Sequence, residues 1–159
     1  MRSSQWASAI LAPVMAAALL AGCGATSQKA ATTSAQCGSG HHVEIVVELA
    51  NKKVVDGCAS FKGPEVPAET AMSRSGIEFA KEHFSYGDAI CQIDHEPKSY
   101  SHCFASGQPY WALFTWSGKG PWKVAQVGVS QIELRNGNAL GWHFGPGTPS
   151  APPKPPKGS

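Results

Sequence analysis

Residues 110–144 constrain the fold more than any other stretch. Their apolar side chains recur with a period of two. Tyr110, Ala112, Phe114 and Trp116 share one face, Ile132 and Leu134 another, and Leu140, Trp142 and Phe144 follow in step. That period means β-strands that bury one face. Two turn signals cut the stretch into short strands. Ser117-Gly118-Lys119-Gly120-Pro121 is the first. Asn136-Gly137 is the second, the dipeptide favoured in type I′ hairpin turns, where both central residues take positive φ. Four of the five tryptophans lie here, Trp111, Trp116, Trp122 and Trp142. Leu140, Trp142 and Phe144 read as core. Trp116 and Trp122 flank the Gly-rich tip, where rings are harder to bury. With Tyr110 they are the candidate ligand-binding residues, a stacking platform for a flat ligand, set against the plainer expectation of structural packing.

Upstream, Val43-Glu-Ile-Val-Val-Glu-Leu49 is rich in β-branched residues and predicts a strand. Residues 50–53 form a turn, and a second strand runs from Val54 to near Cys58, completing a hairpin. Residues 69–75 predict a short helix with Ala68, Ala71 and Met72 on one side. Acidic residues near its start suit the helix dipole. Gly76 is the expected stop, with Ile77 as the following hydrophobic contact. Continuation to His83 is the alternative, because Ile77, Ala80 and Phe84 are spaced for a helical face. Residues 89–93 predict a strand. The class is α+β: an N-terminal hairpin, one short helix, then antiparallel strands.

The two ends of the chain differ from this body. Arg2 precedes an apolar run, residues 7–20, too short to span a bilayer comfortably and typical of a signal peptide. It ends in Leu20-Ala21-Gly22-Cys23, which resembles the lipobox of bacterial lipoproteins. The resemblance implies a signal peptide over 1–22 and a diacylglyceryl group on Cys23, which becomes the mature N-terminus. Residues 23–36 are small and polar, a flexible linker. Residues 37–148 form one domain, and 149–159 a disordered proline-rich tail with P-x-x-P spacing. The whole chain carries a formal charge of +2; without Arg2, Lys29, Lys154 and Lys157 the domain has nine basic and eleven acidic residues. No basic stripe occurs, which argues against a nucleic-acid partner.

Apart from Cys23, four cysteines remain: Cys37, Cys58, Cys91 and Cys103. An even number in an exported domain implies disulfides, with three pairings open. Cys37–Cys58 would tie the start of strand one to the end of strand two, and Cys91–Cys103 would close the loop between them; these two are favoured. No Cys-x-x-Cys pair provides zinc-finger spacing, and Asp94, His95, Glu96 and His102 fit no recognised metal geometry. No metal or cofactor is expected. No G-x-S-x-G elbow or Gly-rich phosphate loop occurs, so the expectation is a non-enzyme.

Strand, strand, helix, then strands is the order of a β-grasp. Cys91-Gln92-Ile93-Asp94-His95, the later Cys103, Pro109-Tyr110-Trp111, Gly128-Val129-Ser130, Leu134, Asn136-Gly137-Asn138 and Gly141-Trp142-His143-Phe144 together resemble the C-terminal domain of transcobalamin and intrinsic factor. That module also occurs in bacterial surface proteins. The resemblance runs over about residues 37–146; His95 and Asn138 stand where glycine and aspartate are usual. It implies a β-grasp fold and cobalamin, or another flat small molecule, as ligand. The animal carriers hold the vitamin between this module and a helical domain with no counterpart here, so the resemblance implies half of such a pocket. The functional expectation is an extracytoplasmic ligand-binding lipoprotein, anchored to the cell membrane by lipid. The alternative is a protein-interaction or structural module of the cell envelope, with an envelope protein as partner.

Overall fold

The N-terminal hairpin forms from β1 (His42–Glu48) and β2 (Val54–Ser60), antiparallel in register from His42 opposite Ser60 to Glu48 opposite Val54. The structure is a computed structural model and describes residues 37–153. The expected signal peptide and linker, residues 1–36 with Cys23, and residues 154–159 lie outside the described residues. After the hairpin come β3 (Glu65–Pro67), α1 (Ala68–Arg74), β4 (Phe79–Phe84), β5 (Gly87–Ile93), β6 (Tyr110–Trp116) and β7 (Lys123–Val124). A 3₁₀ turn (Val129–Gln131), β8 (Glu133–Arg135) and β9 (Ala139–Gly145) complete the order.

The large sheet has the order β2-β1-β9-β6-β7. The last strand lies between the first and β6, parallel to β1 and antiparallel to β6. This is a β-grasp-like α+β arrangement. The later strands pair antiparallel among themselves as expected, and the last also runs parallel to β1; period-two patterning sets which face a strand buries and leaves its neighbours undetermined. On the buried face Ile45 stands beside Leu140 and Val47 beside Trp142. All four belong to one core, to which α1 contributes Ala68, Ala71 and Met72. The Trp142 indole N–H donates to Met72 Sδ at 3.2 Å, and that of Trp111 to the Glu96 carbonyl at 3.0 Å. Both rings are thereby buried with their polar atom satisfied.

Helix α1 spans nearly the expected residues. Its first N–H, on Ala68, donates to the Ile132 carbonyl at 2.8 Å, so the missing N-terminal partner comes from across the fold. Ser75 caps it, and Gly76 at φ +76° turns the chain away. The helical alternative to His83 is excluded: residues 79–84 pair with β5 as a separate two-stranded sheet.

Two further expectations are corrected. Asn136-Gly137 does not make a type I′ hairpin. Only Gly137 takes positive φ, at +77°. The turn closes through Asn138 N–H to Arg135 C=O at 2.9 Å, the pattern of a type II turn. Its flanking strands belong to different sheets, β8 pairing β3 and β9 entering the large sheet. Tyr110, Ala112, Phe114 and Trp116 do share a face, but the main core takes Trp111 and Leu113 from the other side of β6. Both faces of this strand are apolar, so its alternation could not name the core side. Ala112 and Phe114 are nonetheless buried, because the back of the sheet is also covered. Part of that cover is Pro152, itself buried, so packed structure extends beyond the expected boundary at 148.

Two disulfides staple the fold, Cys37–Cys58 and Cys91–Cys103, with Cα–Cα distances of 5.5 and 4.3 Å. These are the favoured pairings. Disulfides persist in oxidising compartments, so they point to an extracytoplasmic protein. Among the described residues no helix is long and apolar enough to cross a membrane.

Candidate functional site

The three sequence-predicted ligand residues lie on the back face of the large sheet but do not converge. Tyr110 and Trp116 are at opposite ends of β6, six residues or about 20 Å apart along the strand. Trp116 and Trp122 do meet, with ring centroids 6.3 Å apart and planes tilted by 49°. Trp116 N–H donates to the Gly120 carbonyl at 3.0 Å and so closes the hairpin tip it stands on. Both rings are half-buried. The tilt leaves no parallel stacking platform.

Tyr110 instead joins a cleft of about 260 Å³ beside β6. Tyr86, Phe104, Val124 and Val127 line it, and these are four of the five large apolar residues exposed among the described residues. A chain of rings forms one side. Tyr86 stacks on Phe84 at 5.2 Å with planes 10° apart; Phe84 meets Phe104 at 5.7 Å, and Phe104 meets Tyr110 at 5.7 Å. The Cys91–Cys103 bond builds this contact. Cys91 sits in β5, Cys103 immediately precedes Phe104, and Phe84 packs against the buried cluster of Ala89, Cys91 and Cys103. Tyr86 and Phe104 escaped the sequence reading because each is a single aromatic in a polar loop. The cysteine pairing next to Phe104 was the available signal.

The backbone adds a second feature. β7 pairs with only Phe114 and Thr115, and Ala125 N–H extends the ladder to Leu113 C=O at 2.9 Å. Among the described residues, the outer edge of β6 has no partner strand from Tyr110 to Ala112. The cleft lies along this free edge.

Asp88 contributes to the cleft wall and belongs to a charged cluster. Its carboxylate accepts from Lys81 Nζ and from His83 Nδ1, both at 2.6 Å, and Lys81 also bonds Glu69. The Lys81 hydrogen bond, then that of His83, holds Asp88 below the usual carboxylate range. Hydrogen bonds from Lys81 to Asp88 and Glu69 raise the lysine. On the back face burial raises Glu44 and Asp56, and among the described residues Glu44 Oε2 has no hydrogen-bond partner.

The described residues do not assemble a metal centre from the histidines and acids of the Asp94 region. His95 faces Glu78 at 3.3 Å and His102 faces Glu82 at 3.6 Å. Asp94 is 3.9 Å from Lys53, and Glu96 accepts from Ala50 N–H at 3.1 Å. Two tighter groups, Cys37 with His42 and Glu44, and Glu82 with Cys91 and Cys103, depend on cysteines already consumed by disulfides.

No family model matches the chain, and no curated protein does. One solved structure similar to it is a "putative metal binding protein" from Ruminococcus gnavus, at 16% identity over 68% of this chain and 99% of that one, with a TM-score of 0.48. A likeness of this size carries no argument about function.

Proposed function

We propose that the protein is a non-enzymatic binding lipoprotein, held at the outer side of the cell membrane through lipid on Cys23, and that the cleft beside β6 takes its ligand. The observation that carries this reading is the gathering of Tyr86, Phe104, Val124 and Val127, otherwise unfavourably exposed, around one concave volume. Cobalamin, suggested by the resemblance to the vitamin carriers, is the first candidate. At about 260 Å³ the cleft is smaller than the roughly 300–1,000 Å³ that encloses a whole small ligand. It therefore suits the edge of a flat molecule. Calorimetric titration of the chain with cobalamin tests this. Saturable heat that Phe104→Ala weakens supports it; absence of heat removes cobalamin.

A second reading, an interaction module of the envelope, is favoured by the free edge of β6. An extended segment of a partner can add there as a strand, with main-chain bonds giving affinity and the apolar cleft giving selectivity. Recovery of an envelope protein that Phe104→Ala releases, with no small-molecule heat, favours this reading. A Cys23→Ala chain that stays in the membrane fraction overturns the anchor.

A further inference from the structure

The chain's own C-terminal segment lies on the face that carries Tyr110, Trp116 and Trp122. After β9 the chain bends at residues 146–148 and continues without regular secondary structure to Pro153. Tyr110 O–H donates to the Gly147 carbonyl at 3.0 Å. Pro149 stands at the rim of the cleft. Pro152 is buried, and it shares with Trp122 the space over Gly141. A Cβ on Gly141 would lie 2.7 Å from Pro152 Cγ and 3.0 Å from Trp122 Cζ3. The lengths agree with a return in extended form. Five residues from Gly147 to Pro152 rise about 15 Å as polyproline II, and four strand residues from Gly145 back to Gly141 span about 13 Å.

We infer that this face is a recognition site for a proline-rich peptide segment, occupied in cis by residues 147–152. Its parts suit that ligand class. Aromatic rings give flat apolar walls to proline, and a phenolic hydroxyl donates to a carbonyl of a backbone that makes no hydrogen bonds of its own. Among the described residues Trp122 Nε1 is buried without a hydrogen-bond partner, an indole donor beside the seated proline. Gly141 makes the seat, since any side chain there fills it. Trp122, Gly141 and Pro152 do not line the apolar cleft, which shares with this site Tyr110 and, from the resident segment, Pro149. The seat of Pro152 on Trp122 and Gly141 is thus separate from the cleft, whatever the cleft binds.

The test uses the full chain and a synthetic peptide, PGTPSAPPKPPK, copying residues 146–157. Pro152→Asp displaces the resident segment and leaves the face intact. Tryptophan emission should shift to the red, and the peptide should reverse the shift saturably. The unaltered chain should respond about tenfold more weakly or less, because its own segment competes at high effective concentration. Gly141→Ala should give the red shift with no response to peptide, and adding Trp122→Ala to Pro152→Asp should abolish the response. Circular dichroism checks the fold, and Pro152→Ser replaces Pro152→Asp if that chain does not fold. Three outcomes overturn the inference: unchanged emission in the folded variant, a red shift that peptide does not reverse, or equal peptide affinity for the variant and the unaltered chain.

Discussion

Single carboxylates on this domain answer to pH with opposite signs. Asp88 binds protons less readily folded than unfolded, because Lys81 and His83 hydrogen-bond its charged form. The stability it contributes is complete above about pH 4, its unfolded range, and is lost as pH falls through the lower folded value. Lys81 is raised, so its share is complete below about pH 10 and lost as pH rises through the folded value. Glu44 is raised by burial, which outweighs the lowering by His42, and the neighbouring Asp56 charge adds a smaller rise. It holds its proton more tightly folded, so the penalty it imposes at neutral pH disappears on acidification. Glu44→Gln should therefore stabilise the domain at pH 7 by about 0.5–1 kcal/mol, the gain being modest for a partly exposed group. At pH 3 the substitution should be neutral. Asp88→Asn should instead destabilise at pH 7 and flatten the loss of stability below pH 4. Urea unfolding across this range checks both, and a Glu44→Gln gain that persists at pH 3 contradicts the buried-charge explanation.

At the scale of elements, legibility followed how local each cause was. The hairpin β1–β2 and the stop of α1 depend on neighbours within a few residues and were readable. The Asn136-Gly137 turn was legible as a turn, but its type was not. A type I′ turn would return the chain alongside the strand it left, whereas this one passes it from the β3–β8 pair into the large sheet. Distant contacts select that course: Asn136 Oδ1 accepts from His42 N–H at 2.9 Å, and Gly137 N–H donates to His42 C=O at 3.0 Å. The site divided in the same way. Tyr110, Trp116 and Trp122 stood out by composition, while Tyr86 and Phe104 acquire meaning only when Cys91 and Cys103 meet. The turn carries its own prediction. Gly137 sits at φ +77°, and a Cβ added there would meet nothing within 4 Å, so Gly137→Ala isolates backbone strain from steric overlap. It should cost about 1 kcal/mol, read as a lower denaturant midpoint with unchanged m-value. Gly137→Asn should recover part of that loss, since asparagine tolerates the left-handed region.

For the whole molecule the two staples do different work. Cys37–Cys58 closes a separation of 21 residues and Cys91–Cys103 one of 12. Chain-entropy arguments give each about 3 kcal/mol. A domain of this size has a net stability of about 5–15 kcal/mol. Losing both bonds consumes a large part of it, which matches a protein of an oxidising compartment. Their consequences for the cleft differ. Cys37–Cys58 joins the start of the domain to β2, on the opposite side of the sheet order from β6. Cys91–Cys103 fixes the Phe104 loop against β5, where Phe104 links Phe84 to Tyr110. Replacing Cys37 and Cys58 by alanine should lower stability by about 3 kcal/mol and leave binding to the cleft unchanged under conditions where the domain stays folded. Replacing Cys91 and Cys103 should lower stability by a similar amount and weaken that binding as well. Equal affinities in the two folded double variants would show that the Phe104 loop keeps its place without the bond, and that packing of Phe84 alone shapes the cleft.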